Sequence, residues 1–252
     1  MPRPVPAWVI VDDFVDVDLG TLKTGKEAEI RIVERRAADG GGRHLLAEKR
    51  YRPKTVSHKG ELEALGFAKA ATFRNDVGYR EARAIRNSRD RRAVAKMTKH
   101  GRDVVRSDWV GHEHDVLLAL WDAGVPVPYP VSTDRDSAVL LQYLGDDDGA
   151  APRLAQARLG PGQLAEAWHQ LVTALRAVVG AGWVHADLST YNLLWWEEQV
   201  WVIDVPQAVD LHASTNGYEL LHRDVTNVCS WFAARGVAAA ADPDVVFATV
   251  LG

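Results

Sequence analysis

The chain has 252 residues, of which 47% are hydrophobic and 25% charged, and its 30 Lys and Arg against 34 Asp and Glu give a formal net charge of -4. This composition is that of a folded globular protein and excludes an intrinsically disordered chain. The single cysteine, Cys229, excludes an intramolecular disulfide and a cysteine-based zinc site. No stretch approaches the roughly 18 uninterrupted apolar residues of a membrane span, so we expect a soluble, cytoplasmic protein with no membrane partner.

The first part of the chain has the pattern of β-strands. Between residues 8 and 52, apolar and polar side chains alternate with a period of two, and glycine clusters such as ADGGGRH at 38–44 interrupt the alternation. This pattern is typical of antiparallel hairpins. A further strand is expected at 138–143.

The later part of the chain has a helical period. Apolar residues lie on one face of a helix that ends at Gly124, and the same spacing predicts helices at 164–179 and 218–232. The first of these faces consists of Trp109, Val116, Leu117, Leu120 and Trp121. The order of strands and helices predicts an α+β fold of two lobes.

The predicted boundaries place a cleft between these lobes. An antiparallel, β-rich N-lobe spans 8–140, a hinge spans 141–153, and a mainly helical C-lobe spans 154–252. The whole chain, 1–252, is then one bilobal domain, and two such lobes enclose a ligand cleft.

Basic residues are concentrated at 74–106, where Lys and Arg far outnumber Asp and Glu. We expect this segment to belong to a flexible basic loop at 53–106. Clustered arginines favour phosphate, as in RNA, or an acidic partner. A solvated helix face explains the same charge run.

The stretch GTLKTGKE at 20–27 nearly matches the nucleotide-binding pattern G-x-x-x-x-G-K-[ST]. It fails because Glu27 replaces the Ser or Thr that would bind Mg²⁺, and because strands flank it where that loop needs a strand and then a helix. A glycine turn between two strands can instead fold over nucleotide phosphates, with Lys26 and backbone amides facing them. A plain hairpin turn explains the pattern equally well.

The strongest chemical signal is GWVHADLSTYNLLWWEEQVWVIDVPQAV at 182–209. Two apolar strands joined by a tight turn carry polar residues at their outer ends, which brings Asp187, Asn192 and Asp204 together. Phosphoryl transfer needs a carboxylate to orient and deprotonate a hydroxyl, and an amide with a second carboxylate to hold metal on the phosphates. The spacing is that of the kinase catalytic and metal-binding loops, in the same order. We interpret His185 as a structural residue that fixes the loop backbone, and the alternative is a ligand or general base.

A second pair of residues agrees with this interpretation. Lys49 lies in the apolar strand LLAEKRY, and Glu113 lies on the apolar stripe of its helix. An unpaired charge at either position is costly, and pairing the two removes both costs. Such a strand lysine and helix glutamate position ATP phosphates in protein kinases. The alternative is two unrelated residues whose charged ends reach solvent.

These segments resemble the RIO family of atypical protein kinases, and within it the founding subgroup in a short, bacterial-type form. The family lacks a multi-glycine loop and replaces the Asp-Phe-Gly metal motif by Ile/Leu-Asp-x, and this chain does both, with Gly25 and with Ile203 before Asp204. The similar segments are TGKEAEI at 24–30, EKRYRP at 48–53, residues 96–131, LLQYLGDDDGAAPRL at 140–154, VHADLSTYNLL at 184–194, VIDVPQAV at 202–209 and LLHRDVTNVCSWF at 220–232.

The resemblance implies a role for each site residue. Lys49 and Glu113 would be the ATP-positioning pair, Asp187 the catalytic base, and Asn192 and Asp204 the metal ligands. The remaining nucleotide contacts would come from the glycine turn and from the hinge, at Thr24, Gly25, Lys26, Glu27, Ala28, Gln142, Tyr143 and Leu144. ATP and Mg²⁺, or Mn²⁺ in its place, would be the cofactors.

Two positions depart from the family pattern. Thr190 stands where the family usually has Glu, and Pro206 replaces a small polar residue, which removes an amide donor near Asp204. Neither change removes a residue of the proposed chemistry. They leave open whether the partners match those of RIO proteins that act in small ribosomal subunit maturation.

Three hypotheses follow. The first is an ATP- and Mg²⁺-dependent serine/threonine protein kinase, acting on a protein or on itself, or an ATPase switch in which phosphate passes to a carboxylate such as Asp204. The second is a small-molecule phosphotransferase like the aminoglycoside and choline kinases, which share the H-x-D loop. The third is a non-catalytic, ATP-sensing pseudokinase that binds RNA or protein through the basic segment.

Overall fold

The computed structural model describes residues 3–10, 12–25, 27–40, 42–52, 90, 92–93 and 98–252. The expected nucleotide contact Lys26 and most of the basic segment 74–106 lie outside these residues.

The N-terminal part is a five-stranded antiparallel sheet in the order β1-β2-β3-β5-β4. The strands are β1 (Phe14–Thr24), β2 (Ala28–Ala37), β3 (Arg43–Tyr51), β4 (Pro130–Thr133) and β5 (Ala138–Gln142). The prediction of antiparallel hairpins is confirmed. It was wrong for residues 8–10, which form no strand, because Trp8 packs its ring against His44 and Tyr129 instead of alternating across a sheet.

Helix α1 (Lys99–Asp122) begins earlier than its apolar stripe indicates. The Thr98 hydroxyl accepts a hydrogen bond from the amide of Gly101, which caps the first turn. Residues 99–106, predicted as the end of a flexible basic loop, are therefore helical, and that prediction was wrong. The helix stops as expected before Gly124, whose φ of 80° is the left-handed conformation that glycine adopts easily.

The C-terminal part is mainly helical, as predicted. A small hairpin, β6 (Gly145–Asp146) and β7 (Gly149–Ala150), lies within the predicted hinge 141–153. The later elements in chain order are α2 (Pro161–Gly180), β8 (Trp183–Val184), β9 (Leu193–Trp196), β10 (Gln199–Val202), β11 (Val209–Asp210), α3 (Gly217–Ala233), a short 3-10 helix (Ala238–Ala240) and α4 (Pro243–Leu251). Strand β9 pairs with β10, and β8 pairs with β11.

Helix α1 packs into both hydrophobic clusters of the structure. Its first half contributes Trp109 and Val110 to a small cluster under the sheet with Tyr51 and Val139. Its second half, from Val116 onward, joins the large cluster formed with α2, α3 and the β9–β10 hairpin. None of the helices that the structure describes combines the length and apolar character that a bilayer-spanning helix needs.

Gly217, the first residue of α3, leaves no room for a side chain. A Cβ atom built there would lie 2.4 Å from the carbonyl oxygen of Leu211. We expect Gly217→Ala to lower the free energy of unfolding by about 1–3 kcal/mol, because backbone must shift to admit the methyl group. Gly162→Ala in the first turn of α2, where a Cβ meets nothing within 4 Å, is the control and should not destabilise the protein. Equal urea denaturation midpoints for the two variants would contradict this packing.

Candidate active site

Lys49 and Glu113 form a buried ion pair. Register in the sheet sets Lys49 of β3 opposite Ile30 and Val139, and its Nζ atom lies 2.5 Å from Oε1 of Glu113 on α1. The two side chains are 10% and 1% exposed. Burying either charge without a partner would be costly, and the pair offsets both costs.

The same ammonium group also contacts Asp204. Lys49 Nζ lies 2.6 Å from Asp204 Oδ1, and the carboxylate is 45% exposed, so it faces both the lysine and the solvent. The Lys49 charge holds the pKa of Asp204 below its usual range. Although burial alone would lower the pKa of Lys49, the charges of Glu113 and Asp204 raise it well above its usual range.

Tyr51 completes this cluster and was missed by the sequence analysis as a site residue. Its hydroxyl donates to Oε2 of Glu113 at 2.5 Å, so each oxygen of that carboxylate has its own donor. Burial, followed by the charge of Glu113, raises the pKa of Tyr51 well above its usual range, so the phenol keeps its proton. The signal was present, because Tyr51 lies two residues after Lys49 on the same face of β3.

Asp187 follows β8 in a tight loop that exposes its carboxylate. The preceding residue, Ala186, has a φ of 64°, and the side chain of Asn192 donates to the carbonyl oxygen of Asp187 at 2.8 Å and to its Oδ2 at 3.4 Å. Partial desolvation and the negative charge of Asp204 raise the pKa of Asp187. A raised pKa makes a carboxylate a better proton acceptor.

Asn192 and Asp204 flank the β9–β10 hairpin. The amide of Ile203 donates to the carbonyl oxygen of Asn192 at 3.0 Å, which holds the two residues at the same end of the hairpin. His185 Nε2 donates to the carbonyl oxygen of Ile203 at 3.0 Å. This is the structural, backbone-fixing contact expected of that histidine.

Asp224 of α3 is a second residue that the sequence analysis did not single out. Its carboxylate, 1% exposed, accepts hydrogen bonds from the amides of Ala186 at 2.7 Å and of Leu188 at 3.0 Å, on either side of Asp187. It therefore sets the backbone of the loop that presents Asp187. The available signal was a carboxylate on the apolar stripe of α3, three residues after Leu221.

The expected nucleotide-contact residues lie in two turns. Thr24, Gly25 and Glu27 lie in the β1–β2 turn, where the amide of Gly25 donates to the carbonyl oxygen of Ala28 at 2.8 Å. Ala28 pairs with Tyr51, two residues after Lys49 in β3. At the hinge, the amide of Gln142 donates to the carbonyl oxygen of Tyr129, and the Leu144 carbonyl oxygen accepts from Ala151. These bonds fix the backbone around Tyr143, and Leu144 is buried.

Known proteins are similar to this chain over most of its length. A family profile for the RIO domain matches residues 66–245, more than two thirds of the chain. The chain is 31% identical to the RIO-type serine/threonine-protein kinase Rio1 of Haloferax volcanii over 244 residues, which cover 97% of this chain and 72% of that protein.

Two further relatives match shorter regions. The chain is 35% identical over 136 residues to the RIO-type serine/threonine-protein kinase Rio1 of Thermoplasma acidophilum, covering 54% of this chain and 68% of that one. It is 34% identical over 152 residues to the human serine/threonine-protein kinase RIO3, covering 60% of this chain. The matched region spans only 29% of the length of the human protein.

Tyr51→Phe tests the phenol contact without changing the shape of the cluster. Glu113 Oε2 would lose its donor while staying buried, so we expect the free energy of unfolding to fall by about 1–3 kcal/mol. Tyr218→Phe, at a tyrosine that is 47% exposed, is the matched control and should change stability by less than about 0.5 kcal/mol. Urea denaturation of wild type and the two variants measures both changes in unfolding free energy. Equal midpoints for Tyr51→Phe and wild type would contradict the hydrogen bond to Glu113.

Asp224 gives a prediction about pH. Burial raises the pKa of Asp224 from 3.8 to about 6, so the folded chain binds this proton more tightly than the unfolded chain. The stability that this proton contributes is present below about pH 4 and is lost as the pH rises through 6. We therefore expect the unfolding free energy of wild type minus that of Asp224→Asn to fall by on the order of 2–3 kcal/mol between pH 4 and 7. A difference that stays constant across this range, measured by urea denaturation at each pH, would show that Asp224 does not titrate there.

Proposed function

The chain belongs to the RIO domain family, and on that premise we propose that it is an ATP- and Mg²⁺-dependent atypical serine/threonine protein kinase. The observation that carries the proposal is the position of Lys49 Nζ, 2.5 Å from Glu113 and 2.6 Å from Asp204. This arrangement presents a fixed ammonium group and a carboxylate side by side at the solvent-facing end of a buried cluster. A nucleoside triphosphate with its metal ion needs both charges at one place.

Asn192 and Asp204 fit a magnesium ion by their chemistry. Mg²⁺ prefers oxygen ligands and is usually held by one or two protein groups together with phosphates and water. The amide oxygen of Asn192 and the carboxylate of Asp204 are such a set, and among the described residues no group of three His, Cys, Asp or Glu offers a self-contained metal site. The bound ion would neutralise charge on the phosphates.

The protein residues then have separate tasks. Lys49, oriented by Glu113, binds and orients the phosphates of ATP. Asp187 orients the acceptor hydroxyl and takes its proton as the γ-phosphate is transferred, and its raised pKa suits that task. Asp224 acts on the chemistry only by holding the Asp187 loop.

The acceptor in this proposal is a hydroxyl of a protein substrate or of the chain itself. The relatives are named serine/threonine-protein kinases, which favours a protein acceptor over the small molecules of the second hypothesis. We extend the proposal to the basic segment 74–106 as a docking site for RNA or an acidic protein, on its charge alone.

Substitutions at the two carboxylates separate transfer from binding. Asp187→Ala should reduce label transfer from γ-labelled ATP by 100-fold or more while Mg²⁺-ATP binding changes less than about threefold, because Asp187 acts on the acceptor. Asp204→Ala should abolish transfer and also weaken Mg²⁺-ATP binding by about tenfold or more. Label on protein, released phosphate and calorimetric binding provide the three readouts.

Asp244→Asn, at a carboxylate that is 86% exposed on α4, is the matched control and should retain wild-type transfer and binding. Equal loss of binding in Asp187→Ala and Asp204→Ala would contradict the assigned roles. Wild-type protein that binds the nucleotide but neither labels protein nor releases phosphate would instead favour the sensor hypothesis.

A further inference from the structure

We propose that His112 is a positioning residue that holds the Glu113 turn of α1 against the loop that carries Asp204. This inference rests on the proposed function, since its consequence is nucleotide affinity. His112 Nε2 lies 2.8 Å from the carbonyl oxygen of Ala208. A carbonyl oxygen only accepts, so Nε2 carries the proton and donates to it.

The contact closes a triangle of three chain segments. Lys49 on β3 is bonded to Glu113 on α1 and to Asp204 in the loop after β10, which ties β3 to each of the other two. The hydrogen bond from His112 to Ala208 makes the third connection, because it joins α1 directly to the segment after Asp204. His112 is the chain neighbour of Glu113, so the hydrogen bond acts on the same helical turn.

The Asp204 loop needs support because its backbone is strained. Asp204 has a φ of 66°, the left-handed region that a non-glycine residue rarely adopts. On the N-terminal side, Ile203 is held at both backbone groups, by the carbonyl oxygen of Asn192 and by the ring of His185.

On the C-terminal side, the loop makes one turn and then meets α1. The amide of Ala208 donates to the carbonyl oxygen of Val205 at 3.0 Å, and both residues are buried. The carbonyl oxygen of Ala208 is the acceptor for His112. The histidine therefore fixes the second end of the strained segment to the helix that carries Glu113.

Trp183 limits the freedom of the imidazole ring. The two ring centroids are 5.9 Å apart at an interplanar angle of 63°, an edge-on contact. Trp183 lies in β8 opposite Asp210 of β11, immediately beyond the Asp204 loop. The ring thus packs against β8, whose partner strand β11 begins at the residue after the hydrogen-bond acceptor Ala208.

Three variants separate the hydrogen bond from the packing. His112→Phe keeps an aromatic ring beside Trp183 and removes the donor, whereas His112→Gln places an amide N–H close to the position of Nε2. His114→Phe is the matched control, because His114 is on the same helical turn and its ring contacts Asp115.

Amide hydrogen exchange and calorimetry of the full chain provide two readouts, the second with Mg²⁺ and a non-hydrolysable ATP analogue. His112→Phe should speed exchange in peptides covering 203–209 and 110–116 and raise the analogue Kd about tenfold, the loss expected for one hydrogen bond. The analogue Kd of His112→Gln should stay within threefold of the wild-type value. His114→Phe should have the wild-type exchange rates and Kd.

Exchange at 203–209 that is unchanged in His112→Phe would overturn the proposal, whether or not the chain transfers phosphate. So would an equal effect of His112→Phe and His114→Phe, which would indicate a general loss of helix stability. Analogue binding without phosphotransfer in wild type would count against the kinase assignment alone, since exchange and Kd still test His112.

Discussion

The site depends on one constraint, the burial of the positive charge of Lys49. A lysine that is 10% exposed needs anionic partners, and here it has Glu113 on a helix and Asp204 on a loop. Both carboxylates bond the same ammonium group, so three segments distant in sequence are held to one geometry. The rigid geometry of the Lys49 cluster is thus a by-product of satisfying a buried charge.

The buried carboxylate of Asp224 solves a different problem by the same principle. It faces backbone amides of Ala186 and Leu188 instead of a cation, and it holds the loop in which Asp187 must stay exposed. Glu113 and Asp224 are each 1% exposed, and both have donors on both oxygens. Asp187, proposed to take the proton, and Asp204, proposed to hold the metal ion, are left facing solvent.

Much of the fold and of the candidate site could be predicted from the sequence, and each feature that was not predicted has an identifiable cause. The cost of a charge on an apolar face was enough to pair Lys49 with Glu113, and the spacing across one hairpin was enough to bring Asn192 and Asp204 to one end. The same argument applies to Asp224, which lies on an apolar stripe, but its partners are backbone amides, which carry no sequence signal. The early start of α1 was hidden because its first two turns are polar and basic.

Helix α1 also limits where the protein can move. Because its halves are buried in different clusters, displacing it would expose apolar surface in both, so Glu113 is expected to stay in place. The tip of the segment predicted as a hinge is joined to the sheet by a weaker contact. Arg43 bonds Asp147 of the hinge hairpin, but the side chains are 54% and 76% exposed, and such surface pairs are worth about 0–1 kcal/mol. The sheet and the tip of this hairpin are therefore joined far more weakly there than at the buried Lys49 cluster.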